Sequence, residues 1–194
     1  TVRLAESRGV AVGAHPAYPD LAGFGRRDLS MTPEQIRNTV TYQIGALAAF
    51  TKNHQLQHVK PHGAMYNKAV RDEAEATAII EAIRDFDPDL IHVVLAGSKW
   101  EQTARSLGVP IARESYADRA ITPQGTLVPR SEPGSVIHDP EQVVKQVRKI
   151  ATEGRAIAVD GSEIEFQSDT ICLHGDNPEA IVIASAVRKE LESA

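Results

Sequence analysis

The sequence predicts an α/β fold in which helices cover a parallel sheet. Short apolar runs alternate with amphipathic helical segments, an order typical of parallel strands joined by helices. Each apolar run ends at a glycine, a proline or a polar side chain, which marks the end of a strand. The 194 residues, 42% apolar and 24% charged, are expected to form one domain over residues 1–194.

The charge balance and the cysteine content exclude several classes of protein. The formal net charge is -5 and no long basic run occurs, so no nucleic acid partner is expected. No apolar run reaches about 18 residues, so no membrane span is expected either. The single cysteine, Cys172, excludes an internal disulfide framework and indicates a cytoplasmic protein.

The first elements are a helix end and a buried strand. Residues 1–8 resemble the last turns of a helix capped by Gly9, so we expect the chain to begin inside a domain. Residues 10–14 predict a strand, and two prolines place His15 at its C-terminal end. A glycine-rich loop with Arg26 and Arg27 follows. Adjacent guanidinium groups suit a carboxylate or a phosphate, although a solvated surface loop is an equal alternative.

The second predicted strand delivers several polar side chains within a few residues. Lys60 and His62 end this strand, and Tyr66 and Asn67 follow in the loop behind a proline and a glycine. A lysine in an apolar strand needs an anion beside it, which could be a neighbouring carboxylate, a substrate carboxylate or a phosphate.

The remaining elements continue the alternation of strands and helices. A capping box at Thr32 and Gln35 predicts a helix start, and the Asp160-Gly161 pair predicts a hairpin turn. Further strands are predicted at residues 92–96, 109–114 and 170–173, and further helices begin near Ser98, Asp139 and Asn177. Side chains predicted to pack inward include Phe50, Trp100, Ile181, Ala184, Val187 and Leu191.

The long segment at residues 116–130 is predicted to be a functional loop, because compact domains rarely contain loops of this length as simple connectors. In parallel α/β folds, ligands bind where strands end, so we expect the polar side chains there to share one pocket. His15, His62 and His174 could be metal ligands together with Asp118 or Asp176. Alternatively, the imidazoles act as hydrogen-bonding or acid/base groups.

Several motifs in a defined order resemble a known family. They are Gly13-Ala14-His15-Pro16 with Tyr18-Pro19-Asp20, Gly23-Phe24-Gly25-Arg26-Arg27, Lys60-Pro61-His62-Gly63-Ala64 with Tyr66-Asn67, Ala117-Asp118-Arg119, Leu127-Val128-Pro129-Arg130 and His174-Gly175-Asp176. Together these motifs resemble the LamB/YcsF family over essentially the whole chain, although each motif alone is weak.

The resemblance implies a (β/α) barrel of the glycoside hydrolase/deacetylase type. It also implies opening of the lactam 5-oxoproline to L-glutamate, with ATP and Mg²⁺ as cofactors and with subunits B and C of a 5-oxoprolinase as partners. Acidic motifs that open the family's sequences are absent from residues 1–194. We therefore expect a barrel without its first strand or strands, which could self-associate through the open edge.

The implied chemistry suggests a role for each candidate residue. Phosphorylation by ATP would make the stable lactam a good electrophile, and this step needs cations such as Lys60. Proton transfer is expected from His62 or His174, and a carboxylate would orient a histidine or hold a metal. The predicted catalytic residues are Lys60, His62, His174, Asp176 and Asp118. The predicted ligands of substrate or phosphate are His15, Arg26, Arg27, Tyr66, Asn67 and Arg119.

Two other functions are consistent with the same residues. One is a metal-dependent amidohydrolase or deacetylase on the same barrel, which metal analysis and a chelator would distinguish. The other is a non-catalytic binding role within an assembly, which an assay of the chain without partners would distinguish from a self-sufficient enzyme.

Overall fold

The computed structural model describes residues 1–193. The chain divides into two compact units, one of residues 1–94 and 99–112, the other of residues 95–98 and the chain from Arg113 onward. Parallel strands and helices alternate along the chain, so the predicted α/β class is confirmed. The prediction of a single domain stays a prediction. Within residues 1–193, no helix is both long and apolar enough to cross a membrane.

The strands of the first unit are parallel. They are β1 (Gly13–Ala14), β2 (His58–Val59) and β3 (Ile91–Leu95). Gly13 pairs with His58, and Val59 pairs with His92, so β1 and β2 end side by side at the same edge. The first strand is shorter than predicted, because the chain before Gly13 is largely exposed, including Val10 at 57%.

One helix of the first unit begins at the cap that the sequence predicts. Thr32 and Gln35 form the expected capping box, with the Gln35 amide donating to Thr32 Oγ1 at 3.2 Å. Arg37 joins helix α2 (Pro33–Ala48) to helix α4 (Glu73–Phe86) through Glu81 and Asp85 at 2.6 and 2.7 Å. The helices are α1 (Val2–Ser7), α2 (Pro33–Ala48), α3 (Gly63–Ala69), α4 (Glu73–Phe86) and α5 (Lys99–Ser106).

Two predictions about this unit are wrong. Tyr66 and Asn67 lie on helix α3 and not in a loop, because Gly63, with φ of +59°, lets a helix start directly after the strand. Phe50 is 73% exposed, because α2 ends at Ala48 and Phe50 therefore lies beyond its buried face. The buried position predicted for Trp100 is confirmed, since it is 0% exposed.

The strands of the second unit form a parallel pair and a hairpin. Glu114 pairs with Thr170 where β4 (Ile111–Tyr116) and β7 (Thr170–Cys172) run parallel. The strands β5 (Arg155–Ile157) and β6 (Glu163–Glu165) are antiparallel, as the predicted Asp160-Gly161 turn requires.

The two helices of the second unit are α6 (Pro140–Glu153) and α7 (Ala180–Ser193). Ile183 of α7 is fully buried against Val143 and Val147 of α6. The predicted inward face of α7 is wrong in part, because Ile181 is 83% exposed. Ile183 packs into the core instead, and the predicted Val187, one turn later, packs against the same cluster.

Candidate functional site

Two histidines meet at the adjacent ends of β1 and β2 in the first unit. His15 directly follows β1, and His62 lies three residues beyond β2. The Nδ1 atom of His62 is 2.9 Å from the Nε2 atom of His15. The ring centroids are 4.8 Å apart with an interplanar angle of 73°, so the rings meet through their nitrogens and are not stacked. We call these two side chains the His15–His62 pair.

Main-chain carbonyls hold the outer nitrogens of this pair. His15 Nδ1 lies 2.5 Å from the carbonyl oxygen of Lys60, and His62 Nε2 lies 2.9 Å from that of Phe24. Because a carbonyl oxygen only accepts, each of these outer nitrogens carries a hydrogen and donates it. The backbone therefore sets the orientation of both rings.

Close backbone packing positions the loop that supplies the Phe24 carbonyl. The Ala64 amide donates to the Gly25 carbonyl at 2.9 Å. A Cβ atom added at Gly63 would lie 2.4 Å from that same carbonyl oxygen, and Gly63 has a φ of +59°. Glycine at position 63 is therefore required both for the backbone angle and for the space.

The adjacent arginines in this loop have different surroundings. Arg27 donates to Asp20 through two nitrogens, of which Nε lies 2.9 Å from Oδ2. The hydrogen bond from Arg27 is the main cause that lowers the pKa of Asp20 to about 2. Arg26 is exposed, as Arg27 is, but it places its guanidinium carbon 5.2 Å from the centroid of the Phe24 ring. Arg27 thus stabilises the loop, whereas Arg26 lies at its surface.

The other candidates of the first unit lie near α3. Lys60 directly follows β2, and its Nζ atom is 6.0 Å from the centroid of the Tyr66 ring. Tyr66 is 3% exposed and packs edge to face on Trp100. Asn67 is exposed on the same helix. These positions favour a packing role for the Tyr66 ring, and ligand binding by Asn67 and Lys60 stays a prediction.

In the second unit, a carboxylate and an imidazole pair after β4 and β7. The Nδ1 atom of His174 lies 2.8 Å from Oδ1 of Asp118. Asp118 is 1% exposed, whereas the His174 side chain is 22% exposed. Tyr116 stacks on the His174 ring at a centroid distance of 5.5 Å and an angle of 19°. We call this arrangement the Asp118–His174 pair.

The electrostatics of the Asp118–His174 pair follow from the burial of the carboxylate. Burial alone would raise the pKa of Asp118, but the hydrogen bond and the charge of His174 outweigh it and lower that pKa. The carboxylate therefore stays ionised and accepts the Nδ1 hydrogen of His174. The Nε2 atom of His174 is then the nitrogen that can accept or deliver a proton.

Backbone contacts hold the segment that carries Asp118. Gln146 of α6 donates to the carbonyls of Tyr116 and Arg119 at 2.8 and 3.0 Å. The buried Arg119 side chain donates to the carbonyls of Ser135 and Val128 at 3.0 and 2.5 Å. These bonds favour a loop-stabilising role for Arg119, and its predicted contact with a ligand stays a prediction.

Sequence reasoning missed two contributors to these sites. The Phe24 carbonyl is one, and the only signal for it is the pair of glycines that flank Phe24 in the loop. The stacking of Tyr116 on His174 is the other, and no sequence signal indicates it. Asp176 lies exposed two residues after His174. The expectation that all strand-end side chains share one pocket stays a prediction.

A family model for the LamB/YcsF family matches residues 1–194. The chain belongs to the LamB/YcsF family. It is 55% identical over 194 residues to a protein of Thermococcus onnurineus that is named as the A subunit of 5-oxoprolinase. It is 54% identical over 194 residues to the protein of the same name from Pyrococcus furiosus. Both matches cover 99% of this chain and 76% of the relative.

A solved structure shows the same fold. The chain is similar to the lactam utilization protein of Thermus thermophilus, with a TM-score of 0.91 and 48% sequence identity. This match covers 99% of this chain and 77% of the other. The predicted family and the predicted fold class are therefore confirmed. The predicted ATP, Mg²⁺, subunits B and C, self-association and cytoplasmic location stay predictions.

Proposed function

We propose that this LamB/YcsF chain is the A component of a 5-oxoprolinase that opens 5-oxoproline to L-glutamate with ATP and subunits B and C. The relatives that match over nearly its whole length are named as that component of 5-oxoprolinase. The observation that carries the catalytic part is the 2.8 Å contact of His174 with the buried Asp118.

The Asp118–His174 pair supplies the proton transfers that lactam hydrolysis needs. In this reaction, a water oxygen bonds to the carbonyl carbon, the ring carbon–nitrogen bond breaks, and the nitrogen gains a proton. His174 Nε2 can take the proton from water and later deliver it to the leaving nitrogen, while Asp118 stabilises the imidazolium in between. Asp118 is therefore a positioning residue, and His174 is the proposed catalytic residue.

Cations are needed to bind the nucleotide. When bound, ATP would supply the phosphoryl group that activates the lactam oxygen; ADP would leave, and a second water would release the phosphoryl group as inorganic phosphate once the ring carbon–nitrogen bond is broken. The exposed Arg26 and the strand-end Lys60 are the side chains we propose for contact with phosphate oxygens. Arg27 fits this role less well, because its guanidinium already pairs with Asp20.

The test is an assay of the chain assembled with subunits B and C, in which ATP-dependent release of L-glutamate from 5-oxoproline is measured. We expect His174→Gln to lower kcat by about 10²–10⁴-fold. The matched control is His138→Gln, at an exposed histidine outside both pairs, which should keep full activity. Unchanged glutamate release in His174→Gln would show that the catalytic assignment is wrong.

A further inference from the structure

We propose that the His15–His62 pair is a binding site for a transition-metal ion such as Zn²⁺. The site lies within the first unit and does not depend on the proposed function. It is inferred from the 2.9 Å distance between His62 Nδ1 and His15 Nε2, and from the carbonyls that hold the other two ring nitrogens.

Assigning the hydrogens of the four ring nitrogens shows that a positive charge is needed between the two rings. The Lys60 carbonyl places the hydrogen of His15 on Nδ1, and the Phe24 carbonyl places that of His62 on Nε2. A neutral imidazole has only one N–H, so the two inner nitrogens both present lone pairs. Two lone pairs 2.9 Å apart repel each other unless a cation lies between them. That cation is either a metal ion or one extra proton.

The geometry favours a metal ion. Histidines that bind metals typically donate their other ring N–H to a backbone carbonyl or a carboxylate, as both rings do here. Two nitrogens bound to tetrahedral zinc lie about 3.3 Å apart, since each Zn–N bond is about 2.0–2.1 Å. The observed 2.9 Å separation therefore needs to widen by only a few tenths of an ångström.

The backbone around the pair is held in place before any ion binds. The His62 amide donates to the Pro16 carbonyl at 2.8 Å, and the Lys60 amide donates to the Ala14 carbonyl at 2.9 Å. Such support reduces the entropy lost when a ligand binds. The ion would therefore meet two oriented donors.

The chemistry of the donors selects the kind of ion. Imidazole nitrogens suit Zn²⁺, Ni²⁺ or Cu²⁺, whereas Mg²⁺ prefers oxygen ligands. Within residues 1–193, no group of three or more histidine, cysteine or acidic side chains is placed so that it could hold a metal ion, so the chain itself offers two ligands here. The remaining coordination positions would then hold water or an oxygen atom of a ligand.

The experiment is a calorimetric titration of the metal-stripped full chain, without a polyhistidine tag, using Zn²⁺ alone. We expect one Zn²⁺ per chain, and an affinity reduced at least about tenfold in His15→Gln and in His62→Gln. The matched control His138→Gln should bind Zn²⁺ like the unmodified chain. Co²⁺ as a second probe should give visible absorption bands that both pair variants lose.

Two results would overturn the proposal. One is a chain that does not bind Zn²⁺, with nitrogen NMR showing a single proton shared between the rings. The other is Zn²⁺ binding of equal strength in both pair variants and in the unmodified chain. If His62→Gln does not fold, then His15→Gln decides, because His15 is exposed and its replacement leaves the core unchanged. Since no activity is measured, failure here is separate from failure of the proposed function.

Discussion

The His15–His62 pair and the Asp118–His174 pair both follow the ends of parallel strands, but their histidines have different hydrogen-bond partners. His174 donates to the carboxylate of Asp118, which is 1% exposed. The rings of the His15–His62 pair instead donate to neutral main-chain carbonyls and turn their other nitrogens toward each other. A carboxylate stabilises an imidazolium, so it makes a good acid/base catalyst. A carbonyl only orients the ring, which suits a neutral imidazole that binds a cation.

A fourth histidine, His92, lacks a hydrogen-bond partner within residues 1–193 and provides a reference for the other three. His92 on β3 is 0% exposed, and neither of its ring nitrogens has a hydrogen-bond partner among the described residues. Burial lowers the pKa of His92 to about 4, with a smaller contribution from the charge of Arg84. The same residue type thus occurs in three different surroundings, and these surroundings are the basis of the roles proposed for the two pairs.

The largest expected effect is on the catalysis proposed for the Asp118–His174 pair. Asp118→Asn keeps the shape of the side chain but removes the charge that stabilises the imidazolium. We expect kcat for glutamate release to fall by about 10²–10⁴-fold, with little change in KM for 5-oxoproline.

The pH dependence of the rate should also differ between Asp118→Asn and the unmodified chain, because Asp118 is proposed to act through His174. A carboxylate with no catalytic link to His174 would leave the pH dependence unchanged. A merely structural role of Asp118 would instead lower the amount of folded protein and leave kcat per folded chain intact. Circular dichroism of each variant separates these outcomes.

The next effect concerns the backbone that supports the His15–His62 pair. Gly63→Ala adds a Cβ atom 2.4 Å from the Gly25 carbonyl at a φ of +59°. We expect the free energy of unfolding to fall by about 3 kcal/mol, measured in urea. The matched control is Gly108→Ala, which has a φ of +67° but nothing within 4 Å of the added atom. It should cost only about 1 kcal/mol. Equal costs would show that the close approach at Gly63 is unimportant.

A smaller effect is expected at the unpartnered His92. Its folded pKa, near 4, lies below the ordinary 6.5, so the unfolded chain binds the proton more tightly. The penalty is absent above pH 6.5 and grows as the pH falls. Between pH 7 and pH 5, His92 should lower the free energy of unfolding by about 2 kcal/mol. Urea unfolding at both pH values should show this loss in the unmodified chain, but not in His92→Leu. A loss of the same size in both proteins would contradict the prediction.

The smallest expected effect distinguishes the two arginines of the loop near His62. Arg26→Gln should raise KM for ATP about tenfold, the effect of removing one charge-assisted hydrogen bond. Arg27→Gln should change KM less, because Arg27 pairs with Asp20. It should instead raise the pKa of Asp20 from about 2 toward its ordinary value, which carbon NMR can follow. A larger KM change in Arg27→Gln would reverse these roles.

Local sequence signals predict the elements well. The capping box at Thr32, the hairpin at Asp160-Gly161 and the strand before His15 depend on neighbours along the chain, and all three occur in the structure. Helix α3 escapes prediction because Gly63 lets a helix start directly after the strand. The exposed Phe50 escapes prediction because α2 ends at Ala48, and the end of a helix is uncertain by a few residues in sequence.

What the sequence by itself determined is the alternation of strands and helices, the family, and the placement of histidines after strands. What only the tertiary structure decided is the partner of each histidine. His15 and His62 are 47 residues apart, and Asp118 and His174 are 56 apart. Contacts between such distant residues depend on the register of parallel strands and on loop conformation. A hydrogen bond requires its atoms to come within about 3 Å, which no pattern of neighbouring residues specifies.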